Sequence, residues 1–235
     1  MGIDDGTVRV AHSSDLHIDS DGEGFKCLRA VLAAAREADL LVLAGDVFEH
    51  NRLPLKLIDK AARLLGDAGL PVVILPGNHD CLGHNSVYVR GGLGNPENVS
   101  VLGVTNGTTL HFPLLDLSIW GRPHFDYQDM APLASSPRRL AGRHIAVAHG
   151  HLHVRREDQD RSWLIRERDL EAIDADYVAL GHWDRPFRAS GGHPHAYYSG
   201  SPQFARTMNM VDIHSTGEVI VERTPLMGNG TQSNS

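Results

Sequence analysis

Cysteine is scarce in this chain. Two occur in 235 residues, Cys27 and Cys81, too few for a disulfide framework. Long apolar runs are missing too, and nothing approaches the roughly 18 consecutive apolar residues that would span a bilayer. The first five residues are acidic and polar and do not read as a secretory signal. These absences together point to a reducing, cytoplasmic setting with no membrane partner. Basic charge is not in excess either, since 22 Lys and Arg stand against 29 Asp and Glu for a net charge of −7. A protein that grips nucleic acid mainly through its phosphates carries a basic face. The short groupings Arg138, Arg139, Arg143 and Arg155, Arg156, Arg161 read as solvated surface. Internal repeats and a composition shift that would mark a linker are also lacking. One domain over residues 1–226 is therefore expected, with the polar segment 227–235 as a disordered tail.

What is present is a run of short, β-branched segments that each end at a small or polar residue. They are 7–11, 40–44, 72–75, 117–120, 144–148, 177–180, 195–198 and 219–222, which read as buried strands. Residues 25–38 place Phe25, Leu28, Leu32 and Ala35 at helical spacing, and 55–68 do the same with Leu57, Ala61, Leu64 and Leu65. Strand and helix alternate over the first 75 residues, which predicts parallel βαβ units. Later, helices thin out and Asn106-Gly107 gives a hairpin-like signal. Met208 and Met210 alternate with polar residues as half-buried strand positions do. The polar, proline-bearing excursion 122–143 is either a loop over a site or a connection.

Histidine is abundant, 15 in all, and position decides which of them matter. The strand exits are informative. The first carries Asp15-Leu16-His17, the second Gly45-Asp46 and the third Gly77-Asn78-His79-Asp80. Two later ones carry His149-Gly150 and Gly181-His182-Trp183-Asp184. Ligand sites in open α/β sheets gather outside the carboxyl ends of the strands. Asp15, His17, Asp46, Asn78, His149, His182 and Asp184 thus form a candidate set of oxygen and nitrogen ligands. No thiolate takes part, which excludes a cysteine-type structural zinc site. Seven ligands exceed the needs of one transition metal and fit two ions that share a carboxylate, the arrangement suited to phosphoryl displacement. The mixture favours manganese, with iron or zinc as alternatives.

Taken together, these residues resemble the five ordered signature motifs of calcineurin-like metallophosphoesterases over residues 11–184. The stretch Tyr177-Val-Ala-Leu-Gly-His-Trp-Asp-Arg-Pro186, followed by Tyr198-Ser-Gly-Ser-Pro202, is most similar to the SbcD-like DNA repair exonuclease branch. The resemblance implies an α/β fold, a two-sheet β-sandwich flanked by helices with a dinuclear site at one sheet edge. It implies that Asp15 and His17 hold one metal, that Asp46 bridges, and that Asn78, His149 and His182 hold the other. The family's last motif ends in histidine, and Asp184 takes that place here. A carboxylate there still ligates, favours harder ions and makes the attacking water less acidic.

The mechanism so implied is in-line attack by a hydroxide that bridges the metals, with His79 protonating the leaving oxygen and Asp80 orienting His79. His151 and His153 spell a decoy for the last motif, and His149 is preferred because it directly follows its strand. Arg52, Arg122, His124, His151 and Arg185 are candidate substrate contacts, with solvated or structural roles open for each. Trp183 reads as packing rather than base stacking. The function expected is hydrolysis of phosphodiesters, with nucleic acid as one candidate substrate. A small phosphoester substrate is the alternative within enzymes, and a non-catalytic metal-binding scaffold the alternative outside them.

Overall fold

The structure, a computed structural model, describes residues 6–135 and 139–226. The ends of the chain, including the expected tail, and Arg138 lie outside the described residues. The strands are β1 (Val8–Ser13), β2 (Leu40–Ala44), β3 (Val72–Leu75), β4 (Val99–Val101), β5 (Thr109–Phe112), β6 (Leu117–Gly121) and β7 (Arg143–His149). They continue as β8 (His151–Leu152), β9 (Leu164–Ile165), β10 (Tyr177–Gly181), β11 (Phe187–Arg188), β12 (His195–Tyr198), β13 (Thr207–Ile213) and β14 (Val219–Pro225). The longer helices are α1 (Glu23–Ala34) and α2 (Leu55–Gly66).

One six-stranded sheet has the order β14-β13-β1-β2-β3-β4 and the other β11-β12-β10-β7-β6-β5. In each, four adjacent strands run parallel: β1 to β4 in the first, and β12, β10, β7 and β6 in the second. Antiparallel strands complete the edges. Parallel strands covered on both faces read as continuous apolar runs, and β2 obeys this, with all five of its residues buried. Leu40, Val42 and Ala44 pack between the sheets with Ile119, Ile145, Val147 and Ala179. Leu41 and Leu43 face the other way, onto Phe25 and Leu28 of α1 and Ile58 and Leu65 of α2. Met208 and Met210 join that helix-facing core and are nearly sealed from solvent. On the outer face of the second sheet, Ala146, Ala148, Val178 and Leu180 are covered by Leu152, Ile165, Leu170 and Ile173. The architecture is the expected two-sheet sandwich with flanking helices.

Two local expectations need correction. The buried face of α2 is Ile58, Ala61, Ala62 and Leu65, while Leu57 and Leu64 lie at its margin. Adjacent leucines made both registers read alike. Asn106-Gly107 does form a tight turn, closed by Gly103 N–H to the Gly107 carbonyl at 2.5 Å. It does not join a hairpin, because β4 and β5 belong to different sheets. The turn redirects the chain from one layer to the other.

Candidate metal centre

Five parallel strands, β1, β2 and β3 from one sheet and β7 and β10 from the other, deliver their carboxyl ends to one edge. Asp15, His17, Asp46 and His182 all have positive φ there, between 47° and 107°. Seven non-glycine residues do so among the described residues, so more than half of this rare conformation sits at the strand exits. Such strain persists only where the surroundings over-determine it, and it concentrates at functional sites. Close backbone approach does part of that fixing. A Cβ on Gly45 would stand 2.1 Å from His149 Nδ1, and one on Gly77 would stand 2.2 Å from Asp46 Oδ1.

The side chains converge as a consequence. His149 is fully buried, and its Nδ1–H donates to the Ala44 carbonyl at 2.9 Å. That leaves Nε2 facing Asn78 Oδ1 at 3.0 Å and Asp46 Oδ2 at 3.1 Å. The same Asn78 oxygen lies 3.2 Å from His182 Nδ1. The His182 main-chain N–H is shared between the two Asp15 oxygens, at 3.1 and 3.0 Å. His17 Nε2 lies 4.0 Å from Asp15 Oδ1. Ligand atoms of Asp46, His149 and His182 fall within 4.8 Å of one another, as do those of Asp15, His17 and Asp46. Asp46 belongs to both groups. The serine motif after β12 supports this edge: Ser201 Oγ donates to the Asp15 carbonyl at 2.8 Å, and Ser199 Oγ meets Ser14 Oγ at 2.8 Å.

Electrostatics show what the cluster demands. Burial pushes the Asp15 carboxyl up to about 6, with the neighbouring Asp46 charge adding to it. Burial works against ionised Asp46 as well, but His149 beside it holds that carboxyl below its ordinary value. For His149, burial opposes the charge and Asp46 overrides it, raising the imidazole to about 9. His182 is driven down to about 3, by burial first and then by His149. Two buried carboxylates, a buried amide oxygen and three imidazoles are thus gathered at this edge. That donor set fits a pair of divalent cations sharing Asp46.

Asp184 is not brought into this cluster. It is exposed, and it belongs to none of the ligand groups found among the described residues. The chain turns away after Trp183, whose ring packs near His151, Phe187 and Tyr198. The Asp184 carbonyl then accepts from Ser201 N–H at 3.0 Å. Gly200, at φ 76°, permits this, since a Cβ there would meet that carbonyl oxygen at 2.8 Å.

Asp80 departs from expectation too. Its fully buried carboxylate accepts from Gly77 N–H (2.7 Å), Phe48 N–H (3.0 Å) and Tyr88 O–H (2.5 Å). It pins the third strand exit to the second. The carboxylate that meets the His79 ring is Glu49, which sequence reasoning passed over. Glu49 Oε2 is 2.8 Å from His17 Nδ1 and its Oε1 is 3.5 Å from His79 Nδ1. His79 Nδ1–H also donates to the Glu49 carbonyl at 3.0 Å. Burial opposes the charge on His79, but Asp46, Glu49 and Asp80 outweigh it and raise its pKa. The one available signal was position: Glu49 follows the buried pair Val47 and Phe48 at a strand exit.

The candidate substrate contacts divide. His151 and Arg185 line clefts that open beside His182. Arg122 turns its guanidinium to the Ala131 carbonyl at 3.2 Å. His124 is fully buried behind His149, donating to that residue's carbonyl at 2.8 Å. Arg52 is exposed and its main-chain N–H is bound by the His50 ring.

A family model described as Calcineurin-like phosphoesterase matches residues 8–186. The chain is 29% identical over 218 residues to the uncharacterized metallophosphoesterase YhaO of Bacillus subtilis (strain 168), covering 82% of this chain and 52% of that protein. It is 23% identical over 279 residues to the SbcD component of the SbcCD nuclease of the same organism, covering 95% of this chain and 70% of that one. The chain thus spans about half the length of YhaO. Its fold is shared with a purple acid phosphatase from yellow lupin seeds, at a TM-score of 0.57 and 13% identity over 93% of this chain and 51% of that one. Among the described residues, no helix is long and apolar enough to cross a membrane. Since the family match runs through all five strand exits, fold and sequence agree that the chain belongs to the calcineurin-like phosphoesterase family.

Proposed function

We propose that this chain hydrolyses phosphodiesters with two divalent cations, manganese foremost, held at the strand exits. The observation that carries this reading is the sharing of Asp46 between two ligand groups, each within 4.8 Å. Asp15 and His17 would hold one ion, Asn78, His149 and His182 the other, with Asp46 common to both. When bound, the ions supply Lewis acidity at phosphorus and lower the pKa of the attacking water. The protein's own groups do the rest. His149 is fixed by the Ala44 carbonyl and His182 by its place against Asn78. His79, with Nδ1–H committed to the Glu49 carbonyl, presents Nε2 to protonate the leaving oxygen. Glu49 steadies both His17 and His79, the role carboxylates take behind ligating and catalytic histidines. Nucleic acid is the proposed polymer substrate on the strength of the likeness to the SbcCD nuclease component.

The test is manganese-reconstituted protein assayed on a bis-aryl phosphodiester, an aryl phosphomonoester and single-stranded DNA. Diester hydrolysis is expected, falling about 10²-fold in His79→Ala, the scale of lost acid catalysis. Unchanged turnover in that variant removes His79 from the chemistry. Inactivity with manganese, iron and zinc alike favours a scaffold.

A further inference from the structure

Two of the chain's three tryptophans stand beside the proposed centre, while the third, Trp120, is buried in the core. A cleft of about 390 Å³ is lined by His151, Asp160, Arg161, Ser162, Trp163 and His182. A second of about 420 Å³ shares His151 and His182 and extends to Trp183, Asp184 and Arg185. Each falls in the size range of small-molecule sites, about 300–1,000 Å³. Both open at His182, which the proposed function makes a metal ligand.

Trp163 is held there against its own backbone preference. Its φ is 56°, a genuine outlier for a bulky residue. Three contacts fix it: its N–H donates to Asp129 Oδ1 at 2.5 Å, its indole Nε1–H to the Gln128 carbonyl at 3.0 Å, and its carbonyl accepts from His151 N–H at 2.9 Å. Gly150 gives way to it, because a Cβ there would stand 2.3 Å from the Trp163 carbonyl oxygen. Thus the excursion after β6 reaches the site, where Gln128 and Asp129 anchor this tryptophan. The ring is only half-buried, with its centroid 5.9 Å from that of His182 and 5.4 Å from that of His124. The turn would be easier with glycine. A tryptophan on a strained turn, its main chain held by two hydrogen bonds and its indole by a third, and left partly open beside the proposed centre, is built to receive something flat.

We propose that the cleft lined by Trp163 is a subsite for the nucleobase of a nucleoside phosphoester, with Trp163 as its stacking wall. The inference rests on the phosphodiesterase reading for the position of the phosphorus. Trp163 lines the first of these clefts and Trp183 the second, where Trp183 is also packed against His151, Phe187 and Tyr198. An aspartate and an arginine line each cleft, Asp160 with Arg161 in the first and Asp184 with Arg185 in the second. They offer acceptors and donors to the hydrogen-bonding edges of a base, which an alkyl group would leave unmatched. Every base has a π-face, so stacking alone confers preference for nucleosides without choosing among them.

The test uses the manganese-loaded full chain and adenosine 5′-monophosphate, with ribose 5-phosphate as the base-free control. Binding is read by calorimetry and by quenching of intrinsic tryptophan fluorescence. The nucleotide is expected to bind about tenfold or more tightly than the sugar phosphate, as one stacked base implies. Trp163→Gly, which suits the positive φ and so spares the turn, should erase that preference, and Trp163→Phe should keep most of it. Equal affinity for the two ligands in the natural chain, or a preference that survives in Trp163→Gly, overturns the subsite. Failure of the catalytic reading is seen separately. A nucleotide preference with no ester hydrolysed upholds the cleft and rejects the phosphodiesterase, and hydrolysis without the preference does the reverse.

Discussion

The two flanks of the candidate centre each carry an acid close to a ligand histidine, and they treat it in opposite ways. On the flank of β1 and β2, Glu49 reaches back to His17 and His79, at 2.8 and 3.5 Å. On the flank of β10, Asp184 follows His182 by two residues and is exposed. Nearness in sequence favours Asp184, and geometry favours Glu49. The difference lies in what each main chain must do next. After Asp46 the buried pair Val47 and Phe48 keeps the segment against the core, with Ile18 N–H donating to the Val47 carbonyl at 2.9 Å. After His182, packing of Trp183 and the bond from Ser201 to the Asp184 carbonyl steer the chain outward. A carboxylate acts where the backbone on either side of it is fixed toward the site.

The comparison can be broken in steps of decreasing size. Asp46 serves both flanks, so Asp46→Asn should lower diester turnover by more than about 10²-fold, beyond the scale of an outer partner. A smaller fall in steady-state rates would mean that the two ligand groups do not share it. Removing Glu49 should weaken manganese binding about tenfold in titration calorimetry, since a carboxylate behind a ligating histidine sets its orientation. Equal affinities for Glu49→Ala and the natural chain would make Glu49 a bystander. Asp184→Ala is expected to change manganese affinity by less than about twofold, as an exposed side chain away from the ligands should. A tenfold loss would return Asp184 to the ligand set.

The candidate ligands were legible because each lies at, or within four residues of, the end of a short apolar run. Asp46 after β2 and His182 after β10 are fixed in space once the strands are recognised, and the parallel order brings their ends together. The α/β class was legible for the same reason, through the alternation of β1, α1, β2, α2 and β3. Where the structure departs from those expectations, tertiary geometry is the reason. The outward turn at Asp184 comes from Gly200 and Ser201, distant in sequence. The carboxylate of Asp80 is satisfied by Gly77, Phe48 and Tyr88, so it reaches His79 through its charge and not through a hydrogen bond to the ring. Trp163 owes its place to Asp129 and Gln128, within the excursion that sequence left unassigned between loop and connection.

The central claim is that Asp46 lies between two cations, and anomalous diffraction from crystals soaked in manganese tests it directly. Two peaks about 3.5–4 Å apart are expected, flanking the Asp46 carboxylate, with His17 beside one and His149 and His182 beside the other. One peak alone, or peaks that leave Asp46 uncoordinated, would contradict it.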